Sequence, residues 1–552
     1  MKYDDAPALP GCSLRQSWFD GALPLRWLMT TMNRSVSLPS GALLHVSSVL
    51  AFDARGPRLA LLLGAALLTG CASARGGTRA GLSPLAELRR AADSLVSDPM
   101  FRSATWGMLI VDPERGDTLY AHNAGRLIIP ASNQKILTGA VALRHLGPDF
   151  RYVTTYSSTG TIDYGVLRGD LVVTGSGDPT VSDRMAGDAM VPLRAVAESL
   201  AARGVTRITG GIVRGGDAFP GSPLGYGWSW SGLDSPSYAG VDELNFNEGV
   251  TRLVVRGGRA VGDTPTVSSL PAKTFPRVRI LARTSAAGAA TVPRRFGRGG
   301  VRARPDSSNP ADLILEGEIA VGDSVAISIT QRDPSAAYLS ALKEALGERG
   351  ITVDGPVSSF APVTGPTPLF TTASPPLREI LGMFLKPSQN AIGEILLRTL
   401  GSVKTGVGSP DSGARVIRSQ LLEWGALPDG FVVRDGSGLS RSDVVTPETL
   451  VKIFAAMRSD TAFRVFYDAL PIAGVDGTIR GRMRDTPAMG NVHAKTGTLD
   501  MVRSLSGYVT TADDRLLIFS MIANNWTVSV REVERVQDAI AVRLAQMRLG
   551  RN

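Results

Sequence analysis

Hydrophobic patterns typical of helices stand at both ends of this chain, and a long interval with a different pattern separates them. Apolar residues at helical spacing predict helices over 84–97 and after Pro130, and again beyond residue 375. Between 151 and 365, short β-like runs alternate with Gly, Pro and Asp, which is typical of strands and turns. The sequence therefore predicts an α+β domain that is cut in two by a long β-rich insertion.

The predicted elements of the two halves should pack together in one core. The first half adds strands predicted over 104–111 and 118–123. The second half has helices predicted over 377–385, 390–400, 414–423 and 447–457, strands over 489–494, 503–509 and 516–523, and a last helix over 530–547. The insertion has β-like runs at 170–174, 210–214, 252–256, 277–282, 312–316 and 324–331.

The composition is that of an ordinary globular protein, with 43% apolar and 20% charged residues among 552. The net charge of +9 is spread without a block of like charges, which argues against a nucleic-acid partner. The two cysteines, Cys12 and Cys71, give the folded part no disulfide framework. Because the four histidines lack metal-ligand spacing, we expect neither a metal site nor a cofactor.

An apolar run near the N-terminus predicts export. Residues 59–69 carry no charge, and Arg55 and Arg58 precede them. The run is shorter than the roughly 20 residues that span a bilayer, but it fits the apolar region of a signal peptide. Residues 1–50 fit neither the signal nor the fold, so a translation start within them is a further hypothesis.

The apolar run ends in Leu68-Thr-Gly-Cys71, which resembles the lipobox of bacterial lipoproteins. The resemblance implies a signal region over 1–71, cleavage before Cys71, a lipid on its thiol, and a flexible linker over 72–83. Because Ala72 is not Asp, it also implies a periplasmic enzyme anchored to the outer membrane if the cell is Gram-negative. An ordinary signal peptide with a chance cysteine is the alternative.

Ser132 and Lys135 are candidates for a nucleophile and its base. Ser132 follows Pro130 at a predicted helix start, where free backbone N–H groups and the positive end of the dipole can face an oxyanion. Lys135 returns to the same face one turn later. A serine hydroxyl needs an adjacent base, and a lysine can serve only if its pKa falls from about 10.4 toward neutrality. Burial against 136–141 and a nearby cation, Lys495, would lower it.

Two further motifs suit the same cleft. Lys495-Thr-Gly-Thr498 lies between strand-like segments, and an edge strand there would offer free N–H and C=O groups to an extended peptide. Gly497 leaves room for close backbone approach, while the Lys495 ammonium and the Thr496 hydroxyl suit a terminal carboxylate. Ser388-Gln-Asn390, at a loop-to-helix junction, can project a hydroxyl and an amide into that cleft.

Each motif has a second copy in the chain. Ser340-Ala-Leu-Lys343 lies in the middle of an amphipathic helix pattern, where no free backbone N–H groups are available for an oxyanion. Lys404-Thr-Gly406 lies in a Gly-rich segment, predicted as a loop, with no strand after it. Ser307-Ser-Asn309 is a second Ser-x-Asn. The set at 132, 388 and 495 is therefore preferred.

Ser-x-x-Lys, Ser-x-Asn and Lys-Thr-Gly in this order resemble the penicillin-recognising serine enzymes. The long interval before Ser388 is similar to the D-alanyl-D-alanine carboxypeptidase/endopeptidase family of the penicillin-binding protein 4 type, which carries two extra domains there. Five stretches resemble that family: Pro130–Lys135, Gly175–Pro179, Tyr226–Trp230, Asp435–Arg441 and Ala494–Leu499.

The resemblance implies a serine β-lactamase/D,D-peptidase-like transpeptidase domain, of α+β class, interrupted by two β-rich inserted domains. The peptidase domain would comprise 84–150 and 366–552. Inserted domain II would comprise 151–175 and 255–365, and inserted domain III would comprise 176–254.

The resemblance also implies a serine-type D-Ala-D-Ala carboxypeptidase that cleaves peptidoglycan stem peptides or cross-links through an acyl-enzyme and is acylated by β-lactam antibiotics. Ser132 would attack the D-Ala carbonyl, and Lys135 would take its proton. Ser388 would relay a proton to the leaving group, Asn390 would hold the substrate and Lys135, and Lys495 would provide the electrostatic field.

The same resemblance assigns the substrate's carboxylate end to Thr496 and Thr498, beside Gly497. The oxyanion would face the backbone N–H groups of Ser132 and Thr498. One departure concerns an acidic pair that binds the free amino end of the stem peptide in the family. Asp217 is a candidate here, but it stands slightly out of register.

Two alternatives belong to other classes. A β-lactamase or esterase on the same fold should be near half this length, and no additional deacylating base can be placed. A non-catalytic lipoprotein that binds the wall should have lost Ser132, Lys135 or Lys495, yet all three are present. The sequence leaves open the balance of carboxypeptidase and endopeptidase activity, the stem-peptide chemistry and the oligomeric state.

Overall fold

The computed structural model describes residues 82–550, apart from 234, 271–277, 287–299, 307–312, 332, 360–362 and 364. The predicted signal region, Cys71 and most of the predicted linker lie outside the described residues. From Ala80 onward the chain forms one compact unit. None of the helices in the described ranges is long and apolar enough to cross a membrane.

The helices of the described part are α1 (Pro84–Val96), α2 (Gln134–Leu146), α3 (Asp183–Ala186), α4 (Met190–Ala201), α5 (Pro334–Glu348), α6 (Leu377–Leu385), α7 (Asn390–Thr405), α8 (Pro410–Glu423), α9 (Pro447–Arg458), α10 (Phe463–Ala469) and α11 (Val530–Gln546). The strands are β1 (Thr105–Asp112), β2 (Asp117–His122), β3 (Val153–Ser158), β4 (Ile162–Asp163), β5 (Val166–Leu167), β6 (Leu171–Thr174), β7 (Arg207–Ile208), β8 (Ile212–Arg214), β9 (Val250–Arg256), β10 (Thr266–Leu270), β11 (Val278–Ile280), β12 (Arg283–Ser285), β13 (Val301–Pro305), β14 (Leu313–Ala320), β15 (Ser324–Thr330), β16 (Thr352–Val353), β17 (Val357–Ser358), β18 (Thr367–Ala373), β19 (Phe431–Val432), β20 (Val444–Val445), β21 (His493–Leu499), β22 (Val502–Thr510) and β23 (Leu516–Asn524).

A five-stranded antiparallel sheet, in the order β2-β1-β23-β22-β21, forms the centre of the peptidase part. Side chains alternate between its faces, as the two-residue period of a strand requires. On β23, Leu517, Phe519 and Met521 pack in the core that contains α1 and α11, whereas Ile518 and Ile522 pack with α2, α6, α7 and α9. Strands from both ends of the chain therefore share their cores, as predicted.

Several helix starts have the same local cause. Helices α1, α5, α8 and α9 each begin with Pro after a Ser, Asp or Thr whose side chain accepts a backbone N–H of the first turn. Helices α2 and α7 begin without such a side-chain cap among the described residues. These two helices carry Lys135 and Asn390, so their first turns are not closed off by a capping side chain.

The insertion contains helices as well as strands. Its largest sheet has the order β17-β8-β6-β3-β18, and the pairs β6–β8 and β8–β17 are parallel. Helices α4 and α5 pack against it in a core that includes Tyr156, Leu193 and Leu342. A second group of strands, β9 to β15, has small cores of its own around Val255 and Leu313.

These cores cross the predicted boundaries inside the insertion. Tyr156 and Leu193 share one core although the boundary at 175/176 lies between them. Strand β18 pairs with β3, so the insertion's sheet extends beyond residue 365. The division into two inserted domains stays a prediction, and the cores favour boundaries near residues 250 and 330.

Two local predictions are wrong. The strand predicted over 489–494 begins only at His493 and continues through the Lys-Thr-Gly motif, while Met489–Asn491 lies in a turn. Lys404 lies in the last turn of α7 rather than in a loop. Gly401 allows the end of α7 to approach α8 closely, because a Cβ there would lie 2.7 Å from the carbonyl of Val407 and 2.9 Å from the backbone N of Gly413.

Candidate active site

The candidate nucleophile lies in a tight turn that is bound to the central sheet. Residues Ala131–Asn133 form a 3-10 turn before α2, with Ala131 in the left-handed region at φ +48°. Ser504 on β22 donates its hydroxyl to the carbonyl of Pro130 at 2.8 Å. Asn133 donates its amide to Oγ of Ser506 at 2.7 Å. These contacts fix the Ser132 turn against β22.

Lys135 is fully buried and makes three hydrogen bonds through its Nζ atom. Nζ lies 2.9 Å from Oγ of Ser132, 2.7 Å from Oδ1 of Asn390 and 2.6 Å from the backbone oxygen of Ser437. A neutral amine has two N–H groups and one lone pair. Because the two carbonyl-type oxygens can only accept, they take the N–H groups and leave the lone pair for the Ser132 hydroxyl proton.

Burial lowers the pKa of Lys135 to about 7, while the carboxyl groups of Asp435, Glu394 and Asp443 act in the opposite direction. Burial and then the neighbouring Lys135 lower the pKa of Lys495 well below its ordinary value. The structure buries Lys135, as the sequence predicts. A lysine with a pKa near neutrality can act as a general base at physiological pH.

Lys495 and Ser388 form a second hydrogen-bonded pair. Nζ of Lys495 donates to Oγ of Ser388 at 2.8 Å and to the carbonyl of Thr496 at 2.9 Å. Ser388 has a left-handed backbone, with φ +64°, directly before α7. This turn places Ser388 beside Lys495 and Asn390 beside Lys135, so the two lysines are linked to neighbouring residues of one motif.

Strand β21 is an edge of the central sheet, and the serine turn packs against it. Gly497 pairs with Ser504 on β22, and a Cβ at Gly497 would lie 2.4 Å from the carbonyl of Pro130 and 3.0 Å from the N of Ser132. The Thr496 hydroxyl donates to that of Thr478 at 2.6 Å. The close approach therefore depends on glycine, as the sequence predicts.

A cleft of about 410 Å³ lies in front of these residues. Its lining comprises Ser132, Ser237, Tyr238, Ser388, Asn390, Gly438, Leu439, Thr478, Thr496, Thr498, Leu499 and Asp500. Lys135 and Lys495 lie buried behind it. The amide of Asn390 donates to the carbonyl of Ser237 at 2.8 Å, so a turn of the insertion forms one wall.

The second copies of the motifs lie away from this cleft. Ser340 is half-buried within α5, and Lys343 donates to the carbonyl of Gly355 at 2.7 Å. Lys404 is exposed on α7. Ser307-Ser-Asn309 lies outside the described residues. Asp217 is exposed and does not line the cleft.

Sequence reasoning missed several residues that the structure brings to the site. Ser237 and Tyr238 of the insertion and Thr478 carried no motif that would have marked them. Asp435 was noticed only within a stretch resembling a family, and Glu394 was not noticed at all. Within the described ranges, no group of three or more His, Cys, Asp or Glu side chains is arranged to hold a metal ion.

A serine in hydrogen-bond contact with a buried lysine, beside an edge strand that carries Lys-Thr-Gly, defines a serine hydrolase of the penicillin-recognising class. The family model described as the D-Ala-D-Ala carboxypeptidase 3 (S13) family matches residues 88–547, and the chain belongs to this family. It is accordingly a serine-type D-Ala-D-Ala carboxypeptidase by class.

Similar proteins agree with this assignment. A D-alanyl-D-alanine carboxypeptidase of an Actinomadura species is 33% identical over 84% of this chain and 85% of its own length. The D-alanyl-D-alanine carboxypeptidase DacB of Haemophilus influenzae is 25% identical over 76% of this chain and 85% of its own.

The fold is that of solved penicillin-binding protein 4. The crystal structure from Haemophilus influenzae aligns with a TM-score of 0.72 at 23% identity, covering 83% of this chain and 99% of that one. The same protein in complex with a β-lactam aligns with a TM-score of 0.66 at 21% identity, covering 84% and 100%. The predicted fold class is thereby confirmed.

Proposed function

We propose that this enzyme cleaves the D-Ala-containing peptides of peptidoglycan through an acyl-enzyme on Ser132. The observation that carries the proposal is the 2.9 Å contact between Nζ of Lys135 and Oγ of Ser132, with the other two Nζ contacts made to oxygen acceptors. This arrangement supports a neutral amine whose lone pair faces the serine hydroxyl.

In the acylation step, Oγ of Ser132 forms a bond to the carbonyl carbon of the penultimate D-Ala, and Lys135 takes the hydroxyl proton. The negative charge that develops on the carbonyl oxygen is held by the N–H groups of Ser132 and Thr498. The close approach of Gly497 to the serine turn supports this pairing of the two elements.

The C–N bond of the substrate then breaks, and the departing amine needs a proton. Ser388, which lies between the cleft and Lys495, donates its hydroxyl proton to that amine. It is reprotonated with the proton that Lys135 took from Ser132, so Lys135 is neutral again for the next step. The side chain of Lys495 and the hydroxyl groups of Thr496 and Thr498 bind the carboxylate of the leaving D-Ala. Water subsequently attacks the ester, with Lys135 again as base, and releases the shortened peptide.

Endopeptidase activity uses the same acyl-enzyme with a different leaving amine. In a cross-link, the departing amine belongs to a second stem peptide rather than to free D-Ala. The cleft is open to solvent on the side of Leu499 and Asp500, which supports entry of a larger leaving group. Digestion of purified cross-linked dimers and of a pentapeptide monomer, compared at equal enzyme concentration, measures the balance between the two activities.

A β-lactam antibiotic presents a strained amide to the same nucleophile. Ser132 opens the four-membered ring, but the amine remains tethered to the acyl group and blocks the approach of water. The solved complex of Haemophilus penicillin-binding protein 4 with a β-lactam gives a precedent on this fold. We therefore infer that a penicillin labels Ser132 covalently.

We also propose that the enzyme is exported to the periplasm and anchored by a lipid on Cys71. The apolar run at 59–69 and the lipobox-like Leu68–Cys71 support this proposal.

Labelling with a fluorescent penicillin tests the proposed function. Ser132→Ala removes the attacking atom and should abolish labelling, since losing such a nucleophile costs on the order of 10⁶ in rate. Lys135→Ala should cost about as much because nucleophile and base act as a unit. Lys495→Ala should slow labelling less than these two variants do, by a factor of roughly 10²–10³ relative to the wild type, since the role of Lys495 is electrostatic.

The second copies of the motifs provide matched controls. Ser340→Ala and Lys404→Ala change the same residue types outside the cleft, and both variants should label like the wild type. Mass spectrometry of the labelled peptide identifies the acylated residue. Labelling that persists in Ser132→Ala, or disappears in folded Ser340→Ala, would show that a different serine is the nucleophile.

A further inference from the structure

The loop Asp435–Ser440 lies directly over the first turns of α2, and its carbonyl groups accept hydrogen bonds from three side chains of that helix. Gln134 donates to the carbonyl of Asp435 at 3.3 Å, and Thr138 donates to that of Gly436 at 2.8 Å. The third donor is Lys135, which donates to the carbonyl of Ser437 at 2.6 Å. This loop therefore supplies one of the two acceptors that orient the Lys135 amine.

The side chain of Asp435 holds this loop in shape from inside. Oδ1 accepts the N–H groups of Ser437 at 3.1 Å and Gly438 at 2.6 Å. Oδ2 accepts the N–H of Ser440 at 2.7 Å and the indole N–H of Trp228 at 2.9 Å. Asp435 is fully buried, and four N–H donors fill the acceptor positions of an ionised carboxylate.

Two other buried carboxyl groups lie near Lys135, and both favour the protonated form. Burial raises the pKa of Glu394, and the charge of Asp435 raises it further, to about 8. Burial raises the pKa of Asp443 well above its ordinary value, and Asp435 adds to this effect. Glu394 accepts the N–H groups of Gly436 and Ser437. Asp443 accepts those of Arg434 and Asp435 through one oxygen. With four N–H donors spread over both oxygens, Asp435 has the contacts that best suit a negative charge. The buried Lys495 is the nearby cation that faces Lys135.

Two glycines of the loop also pack so closely against neighbouring backbone that a side chain would not fit there. Gly438 has φ +82°, and a Cβ there would lie 1.9 Å from the carbonyl of Ala131, beside the nucleophile. A Cβ at Gly436 would lie 2.0 Å from the carbonyl of Gly393 on α7. A shift of the loop would therefore move against the serine turn and against the helix that carries Asn390.

We propose that Asp435 is a positioning residue for the acylation step, which holds the Ser437 carbonyl against the Lys135 amine and supplies a negative charge behind it. The inference rests on the proposed function, in which Lys135 is the base for Ser132. Asp435 acts through Lys135 and the loop, and it does not line the cleft.

The test compares Asp435→Asn with Asp443→Asn in the full enzyme. For each variant, the second-order rate of acylation by a fluorescent penicillin is measured from about pH 5 to about pH 9, together with the dissociation constant of the non-covalent complex. Loss of the Asp435 charge should move the acidic limb of the profile about one unit toward lower pH. Displacement of the Ser437 carbonyl should lower the plateau rate roughly 10²-fold, while the dissociation constant stays unchanged.

Asp443→Asn is the matched control because it replaces a second buried carboxyl group by an amide of the same shape, and Asp443 raises the pKa of Lys135 less than Asp435 does. Its acidic limb should therefore move less than that of Asp435→Asn. Asp435→Glu retains the charge and should keep the limb in place, even though the longer side chain lowers the rate. If Asp435→Asn does not fold, as judged by its thermal transition, the limb of Asp435→Glu decides the question, and a shift of that limb despite the retained charge overturns the proposal.

A folded Asp435→Asn variant with an unmoved acidic limb would also overturn it, because a purely structural role lowers the rate without moving the limb. This failure is distinct from failure of the proposed function. If the wild-type enzyme is not labelled on Ser132 at all, the function is wrong. If the wild type is labelled and only the limb fails to move, the role of Asp435 alone is wrong.

Discussion

Replacement of Gly497 by alanine tests how closely the edge strand must approach the nucleophile. The new methyl group would lie 2.2 Å from Oγ of Ser504, 2.4 Å from the carbonyl of Pro130 and 3.0 Å from the N of Ser132. Ordinary contact starts at 3.4 Å, so β21 and the serine turn have to separate by about 1 Å. The φ angle of Gly497 itself suits alanine, because it is not in the left-handed region.

The expected loss follows from that separation. Displacing catalytic groups by about 1 Å can cost roughly 10² in rate, and removing one oxyanion donor costs about 10²–10³. We therefore expect Gly497→Ala to acylate with penicillin about 10²–10³-fold more slowly, with an overpacking cost of about 1–3 kcal/mol in the free energy of unfolding. Stopped-flow acylation and denaturant unfolding measure the two quantities separately.

The glycine of the second Lys-Thr-Gly provides the control. Gly406 ends α7 with φ +77°, and nothing lies within 4 Å of a Cβ there. Gly406→Ala should cost about 1–2 kcal/mol through backbone strain and leave the acylation rate unchanged. If Gly497→Ala acylates within about threefold of the wild type, the 1 Å separation does not reach the oxyanion site and the reasoning is wrong.

Three further outcomes are expected. The wild-type acylation rate should rise through about pH 7, because only the neutral Lys135 amine can take the serine proton, and a rate that is flat from pH 5 to pH 9 would contradict this assignment. Lys135→Met should raise the melting temperature above that of the wild type, and most of all below pH 7. The pKa of Lys135 is near 7 in the folded state and near 10.4 in the unfolded state. The wild type therefore gains stability as the pH rises from about 7 to about 10.4, and its difference from the variant shrinks. Cys71→Ser should release the enzyme from membranes or stall its processing, as cell fractionation would show, and unchanged membrane association would refute the lipid anchor.

Local patterns predicted much of the fold because the relevant signals lie close together in sequence. Helices α6 and α9 were recognisable from apolar spacing, and Pro447 marks the start of α9. The motif strand was misplaced because Lys495 and Thr496 are polar, although both are buried in β21. Their burial is offset by hydrogen bonds to Ser388 and Thr478, residues that the local pattern cannot associate with them.

The candidate site could be predicted from the sequence where the chemistry depends on a side chain that belongs to a short motif. Ser132, Lys135, Ser388, Asn390 and Lys495 all come together at the cleft or directly behind it. The Ser437 contact was not predictable, because Lys135 binds a backbone carbonyl that lies 302 positions away in the chain. Any residue type can supply a backbone carbonyl, so the residue type at position 437 does not indicate this contact.

The order of strands in the central sheet has a consequence for how the enzyme matures. Strands β1 and β2 come from the start of the folded chain, but their partner β23 and the edge strand β21 come from its end. The contact between Ser504 and Pro130 closes a loop of 374 positions. A chain that emerges N-terminus first can fold its insertion as a unit while β1 still lacks its neighbour.

Ser132 and Lys135, the proposed nucleophile and base, are therefore synthesised early, but the site around them is incomplete until the last strands dock. Loop closure over such a distance is entropically unfavourable and slow, and the unpaired edge of β1 is open to wrong partners in the meantime. A truncated or stalled chain that lacks β21 to β23 also lacks the Lys-Thr-Gly strand, so we expect it to be an inert product rather than a partly active hydrolase.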